Sequence, residues 1–222
     1  MLLLQADLEV LAKQLNPIVG FYDPLNLAEA EFWGTSNEAT IGFLRHAEIK
    51  HSRVAMFAFV GYIVHANGIK FPWAMQMDGT PFPTGTNPPE LWDQVSDGSK
   101  WQIFGLITFL EAWSEISTPD HKHYMKGGKP GDFPDFNVVE LPHPVPFNYF
   151  DPFGFSKNKS AESKARGLRA EINNGRLAML GIFGFLSEQT IPGSVPLLGK
   201  IVEPYSGEVM APFSENMLRF GL

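Results

Sequence analysis

The chain has 222 residues and a formal net charge of −7, and 44% of its residues are hydrophobic. This composition excludes a disordered or fibrous chain, and the acidic balance excludes a nucleic-acid partner, which needs clustered Lys and Arg. The absence of cysteine removes disulfides, thiolate metal sites, iron–sulfur clusters and a cysteine nucleophile together.

The first ten residues are apolar, but Asp7 and Glu9 interrupt them and no cationic stretch precedes them. They do not read as a signal or transit segment, so a chain routed to an organelle would be represented here in its processed form. Phe21-Tyr22-Asp23-Pro24-Leu25 follows, an apolar strap around a turn-prone Asp-Pro step. A mean hydropathy of −0.07 conceals three apolar islands, Val54–Val64, Ile103–Trp113 and Leu177–Ser187. Each island is shorter than the ~20 apolar residues of a free-standing membrane span, and each alone reads equally well as a buried helix. Charged helical turns lead without a breaker into the first and third, which predicts helices over 41–65 and 161–189, with a shorter one over 100–115. At 1.5 Å per residue the two long helices reach about 37 and 43 Å, enough to cross a hydrocarbon core of ~30 Å if their charges are neutralised.

With these three helices as spans, residues 1–53 and 115–176 hold 13 Lys and Arg, against 4 in 65–100 and 188–222. Such alternation follows the positive-inside pattern. The segments 66–100 and 115–160 are rich in Pro, Gly and aromatics, and irregular stretches of that length usually serve a ligand or partner. His46, His121, His123 and His143 read as exposed loop or interface residues.

The third helix repeats the first at a spacing of 123 residues. Ala47, Glu48, Ile49, Arg53, Ala55, Met56 and Gly61 return as Ala170, Glu171, Ile172, Arg176, Ala178, Met179 and Gly184. A second strap, Tyr149-Phe150-Asp151-Pro152-Phe153, precedes the second copy as the first precedes its own. The period is too long for a solenoid. It predicts one helix used twice, the two copies crossed and related by a pseudo-two-fold axis along the membrane normal. Glu and Arg five residues apart lie roughly 140° apart around one helix. The expected pairs are therefore reciprocal, Glu48 with Arg176 and Glu171 with Arg53, cancelling charges that lipid would not tolerate singly. Gly61, Gly184, Ala55 and Ala178 are expected to let the helices approach closely. A soluble helical pair with surface ion pairs would not explain the recurrence of the same charges at matching depth.

Glu48 and His51 share a helix face, as do Glu171 and Asn174. Glu-x-x-His is half of a di-iron bundle site, but the second copy offers Asn174, and the middle helix adds only Glu111 and Glu115. A magnesium ion already held in a macrocycle needs one axial donor, which imidazole, an amide oxygen or an arginine-neutralised carboxylate can supply. On that reading one carboxylate oxygen of Glu48 and one of Glu171 stay free.

The runs Glu48-Ile-Lys-His51-Ser-Arg53-Val-Ala-Met56 and Glu171-Ile-Asn-Asn174-Gly-Arg176-Leu-Ala-Met179 resemble the paired signatures of the chlorophyll-binding light-harvesting complex superfamily. The likeness covers most of the chain: two straps and three helices in the order signature, middle helix, signature. The resemblance implies an all-α membrane protein of one light-harvesting domain spanning residues 1–222, multi-pass in the plastid thylakoid membrane. Such a protein is not an enzyme; it binds chlorophylls and carotenoids and passes excitation to a photosystem. Photosystem I is expected before II, with neighbouring antenna subunits and thylakoid lipids as the other partners. Glu48, His51, Glu171 and Asn174 would then be axial ligands to chlorophyll magnesium, with Arg53 and Arg176 as ion-pair partners.

The family's glutamine ligand, seventeen residues after the third-helix glutamate, falls here on Glu188, and Gln189 follows, so which of the two ligates stays open. His65, the repeat mate of Glu188, is a further candidate or else a solvated helix end. Gln102 and Glu111 stand where the family places polar ligands on its middle helix. Asp23 and Asp151 would shape the polar ends of carotenoid grooves. No histidine follows residue 143, so the C-terminal helix with a ligating histidine found in green-lineage members is expected to be missing or altered. Residues 67–73 and 121–130 resemble the red-lineage chlorophyll a/c branch, for which chlorophyll a, chlorophyll c, and peridinin or fucoxanthin with diadinoxanthin are the implied pigments. The competing readings are a photoprotective quencher of the same superfamily, a di-iron helical-bundle oxidase and a pigment-free membrane scaffold.

Overall fold

The computed structural model describes residues 5–118, 121–136, 151, 153–155, 158–209 and 211–213. Pro152, His143 and the strap residues Tyr149 and Phe150 lie outside them. Among the described residues the regular structure is helical, with no strand and two isolated bridges, Ala74 to Pro81 and Thr118 to His121. The described residues form five α-helices, in chain order α1 (Gln5–Leu15), α2 (Asn37–Ala66), α3 (Pro88–Asp93), α4 (Asp97–Ser114) and α5 (Ala161–Thr190). The three expected helices correspond to α2, α4 and α5, whose bounds lie within four residues of the expected ones. Two short helices, α1 and α3, carry no strong sequence signal. α1 is cut from an apolar stretch broken by charges, and α3 is a single turn and a half led by Pro88 and Pro89 at its first positions.

α2 starts where Ser36 places its hydroxyl against the amide of Ala39, a serine N-cap with Glu38 in the first turn. Ser96 does the same for α4 at the amide of Ser99. α2 and α5 are 30 residues each, about 45 Å at the helical rise. Among the described residues no helix is both long and apolar enough to cross a membrane unaided. Length is not the obstacle. Charged residues recur along α2 up to Arg53 and along α5 up to Arg176, the apolar islands fill only the turns beyond them, and Glu188 stands near the end of α5.

The chain divides into two compact units, Met1–Arg53 with Leu110–Arg176, and Val54–Phe109 with Leu177–Leu222. In the first, Leu15, Ala28, Ile41, Ile49, Trp113, Tyr124, Phe136 and Ile172 are buried. Trp113 packs on Phe136 at 4.8 Å between ring centroids and donates its indole N–H to the Pro134 carbonyl. The backbone of Tyr124 presses on Gly42, where a Cβ would collide with the Tyr124 carbonyl. In the second unit, Phe59 and Tyr62 stack on Phe185 at 5.2 and 4.6 Å. Tyr205 donates to Asp93 at 2.7 Å. Burial, and then the Asp93 carboxylate, push its hydroxyl up to about 12, so it remains a donor at physiological pH.

Exposed apolar side chains repeat as the helices do. Val54, Phe57 and Val60 on α2 are 63%, 82% and 59% exposed; their mates 123 residues on, Leu177, Leu180 and Phe183, are 69%, 72% and 71% exposed. A soluble monomer rarely presents such a stripe without a partner for it.

Candidate functional site

In the first unit, α2 and α5 meet at residues that are mates in the repeat. Ser52 is buried, and a Cβ on Gly175 would collide with its side chain; the two positions are 175 − 52 = 123 apart. The reciprocal ion pairs lie on either side. The Arg53 Nε donates to Glu171 Oε1 at 2.6 Å, and Arg176 donates to Glu48 Oε1 from Nε at 2.7 Å and from Nη2 at 2.6 Å. A contact of i with j and of j's mate with i's mate is the signature of a local two-fold.

The two halves are not equivalent in detail. Arg45, one turn before Glu48 on the same face, takes Glu48 Oε2. Glu48 is therefore held through both oxygens, which corrects the expectation of one left free on each glutamate. Arg53 spends its second arm on the carbonyl of Gly131 at 2.5 Å, fastening the loop after α4 to the crossing. Gly61 and Gly184 do not let the helices approach. A Cβ on Gly61 would meet nothing within 4 Å, and one on Gly184 only Leu198 at 3.9 Å. Nine residues beyond Ser52 and Gly175 is two and a half turns, which puts them on the opposite faces. Close approach is supplied by Gly175, and in the second unit by Gly181 against the Phe59 ring at 2.6 Å from a built Cβ; Ala55 and Ala178 are buried.

His51 and Asn174, again mates, are exposed. The His51 Nδ1 lies 2.7 Å from the Ala47 carbonyl. A carbonyl only accepts, so Nδ1 carries the proton and the Nε2 lone pair is left for an axial bond. This is the tautomer control that histidine ligands need, and the donor set therefore fits a magnesium tetrapyrrole. His46 has the opposite chemistry. It is buried, not exposed as expected, stacks on Tyr124 at 3.9 Å, and accepts from the Gly131 amide at Nδ1. Its proton must sit on the buried Nε2, which has no partner. Glu115 accepts from His123 and Tyr124, and burial, then the Glu115 carboxylate, push the Tyr124 hydroxyl up to about 12.

Asp23 caps the turn Leu27–Glu29, accepting from the amides of Leu27 and Ala28 at 2.9 and 2.8 Å. It shares a cavity of about 450 Å³ with Glu48, Arg176 and apolar residues of α1. Asp151 adopts a left-handed backbone and its carbonyl accepts from Gly154. On α4, Glu111 is neutralised by Lys50 of α2 at 2.5 Å.

In the second unit, Glu188 and Gln189 are almost fully buried. Both Glu188 oxygens accept backbone amides, Oε1 from Gly193 at 2.6 Å and Oε2 from Val195 at 2.8 Å, so the carboxylate closes the turn after α5. Gln189 donates to Asn87 Oδ1 at 2.9 Å. Since Asn87 donates its own amide protons to Glu90 and to the Pro204 carbonyl, the orientation of both amides is fixed. The Gln189 Oε1 remains without a partner. His65 and Gln102 line one cavity of about 830 Å³. Among the described residues no group of three or more His, Asp and Glu is placed to hold a metal ion by itself.

The structure thus carries a repeated helix braced by reciprocal charge pairs, and comparison with known proteins gives the family. The model of the chlorophyll A-B binding protein family matches residues 8–190, and the chain belongs to that family. It is 31% identical over 177 residues to the chloroplastic fucoxanthin-chlorophyll a-c binding protein F of Phaeodactylum tricornutum, covering 79% of this chain and 77% of that one. It is 30% identical over 188 residues to a fucoxanthin-chlorophyll a-c binding protein of Trieres chinensis, covering 84% and 81%. A counterpart from Macrocystis pyrifera is 28% identical over 175 residues, covering 78% and 71%.

Proposed function

We propose that this chain is a light-harvesting antenna protein of the plastid thylakoid that binds chlorophyll a, chlorophyll c and a fucoxanthin-type carotenoid and delivers excitation to a photosystem. The observation that carries the reading is the pair of repeat-related ion bridges, Glu48 with Arg176 and Arg53 with Glu171, flanked by the exposed donors His51 and Asn174. Bound pigments supply the absorption and transfer of light energy; the protein performs no covalent chemistry.

The residues hold and space the pigments. His51 and Asn174 would hold tetrapyrrole magnesium through neutral donors; Glu171, its charge cancelled by Arg53, and Glu48, which would have to share an oxygen already taken by Arg45 or Arg176, would do so through carboxylates without stranding an anion. Gln102, Glu111 and His65 are the further donors, while Asp23 and Asp151 set the strap ends against which a carotenoid would lie. Gln189, with a buried amide oxygen to spare, suits ligation better than Glu188. A single light-harvesting domain spans residues 1–222. α2, α4 and α5 cross the membrane as three spans, the first and third crossed, with Glu48, Arg53, Glu171 and Arg176 neutralised by pairing and the stripe Val54, Phe57, Val60 and its mates facing lipid or pigment. Neighbouring antenna subunits and a photosystem core are the partners, with photosystem I ahead of II.

Extraction and chromatography of pigment from the native protein tests this directly. Chlorophyll a, chlorophyll c and a polar carotenoid in fixed ratio to protein are expected; iron without chlorophyll would overturn the reading in favour of a bundle oxidase.

A further inference from the structure

The cavity of about 830 Å³ in the second unit lies between the end of α2, the segment after it, α3 and the start of α4. Its volume is within the roughly 300–1,000 Å³ of ordinary ligand sites, and its aromatic lining comes from Phe71, Phe82 and Trp92. Besides the hydroxyl residues Thr84, Thr86 and Ser99, its lining includes His65, Gln102 and Lys70. No acidic residue is among the lining, and Lys70 forms no ion pair among the described residues. A carotenoid would use the aromatic walls but has no need of an imidazole and a cation together. A phytylated chlorophyll would use the imidazole and give Lys70 nothing to neutralise. Chlorophyll c is a magnesium tetrapyrrole whose acrylate side chain is a free acid, and it answers both.

We infer that this cavity is a chlorophyll c site, with His65 as axial donor and Lys70 as the counter-ion that selects a free carboxylate over an ester. The inference rests on the antenna reading and adds to it the residue that sets pigment type at one place. Lys70 is exposed, so its charge would meet the acrylate where water still reaches.

The test is refolding of the full chain in detergent with chlorophyll a, fucoxanthin, and either chlorophyll c or its methyl ester, followed by chromatography of the bound pigment. The wild-type chain is expected to retain the acid in preference to the ester. Lys70→Met should lower that preference about fivefold, the upper range for an exposed ion pair, and Lys70→Arg should keep it, both variants binding chlorophyll a normally. His65→Leu should lose the chlorophyll c of this site whatever residue 70 is. Equal retention of acid and ester by the wild-type chain, or a preference untouched in Lys70→Met, would overturn the inference while leaving the antenna reading standing. Failure of the chain to take up any chlorophyll would overturn both.

Discussion

Ser52 and Gly175 occupy the same place in the two copies of the repeat and touch each other where α2 meets α5. A residue that contacts its own mate lies on the local two-fold axis, and there is no room at that point for two side chains. The smaller member is the glycine. Gly175→Ala should destabilise the folded, pigmented chain by about 1–3 kcal/mol, as overpacking of a tight contact does. Ser52→Gly in the same chain should recover most of the loss, because the space denied to the added methyl group is the space Ser52 fills. Thermal denaturation of the two single variants and the double variant checks the coupling.

The reciprocal bridges are unequal, and their variants should be too. Arg53→Leu leaves Glu171 without its cation and releases the Gly131 carbonyl, a loss on the order of 3 kcal/mol once the site is covered. Arg176→Leu leaves Glu48 still held by Arg45, and should cost about half as much. Denaturation of the two refolded complexes compares them directly; equal losses would show that Arg45 does not share the charge of Glu48.

His51→Leu should remove about one chlorophyll per chain and leave the fold in place, since the imidazole is exposed and bonds to the Ala47 carbonyl of its own helix. His46→Leu should do the reverse, keeping pigment content while loosening the loop that Gly131 anchors. Pigment-to-protein ratio and helical circular dichroism separate the two; an unchanged ratio in His51→Leu would refute its ligand role.

Glu188→Gln should weaken the turn at Gly193–Val195 by about 1.5–3 kcal/mol, the worth of hydrogen bonds to a charged acceptor, without loss of chlorophyll. Gln189→Leu should lose a chlorophyll and the tie to Asn87. Amide exchange across residues 191–200, set beside the pigment ratio, reads the two effects independently.

Much of this was written in the chain. The spacing of 123 residues between Glu48 and Glu171, and between Arg53 and Arg176, foretold both the doubled helix and its crossed charge pairs, because residues on poorly matched faces of one helix must look elsewhere for partners. What escaped the sequence depended on tertiary approach. Arg176 is the partner the repeat predicts for Glu48; that Arg45 takes the second oxygen was signalled only by their spacing of three, which does not by itself say that both arginines meet one carboxylate. Gly61 and Gly184 were persuasive as small residues, yet only the position of the axis shows that they face away from it. Glu188 resembled a misplaced ligand until the turn at Gly193 and Val195 came back to meet it, and His46 resembled a surface residue until the Tyr124 loop folded over it. Such contacts are made by irregular segments, which leave no periodic trace.

Pigments held by these helices must sit close enough to share excitation, and the fluorescence excitation spectrum of the purified protein, recorded at the chlorophyll a emission, reads that sharing without an intermediate step. Bands of carotenoid and chlorophyll c are expected in that spectrum, in proportion to their absorption. Chlorophyll a emission that responds only to chlorophyll a excitation would contradict the antenna reading.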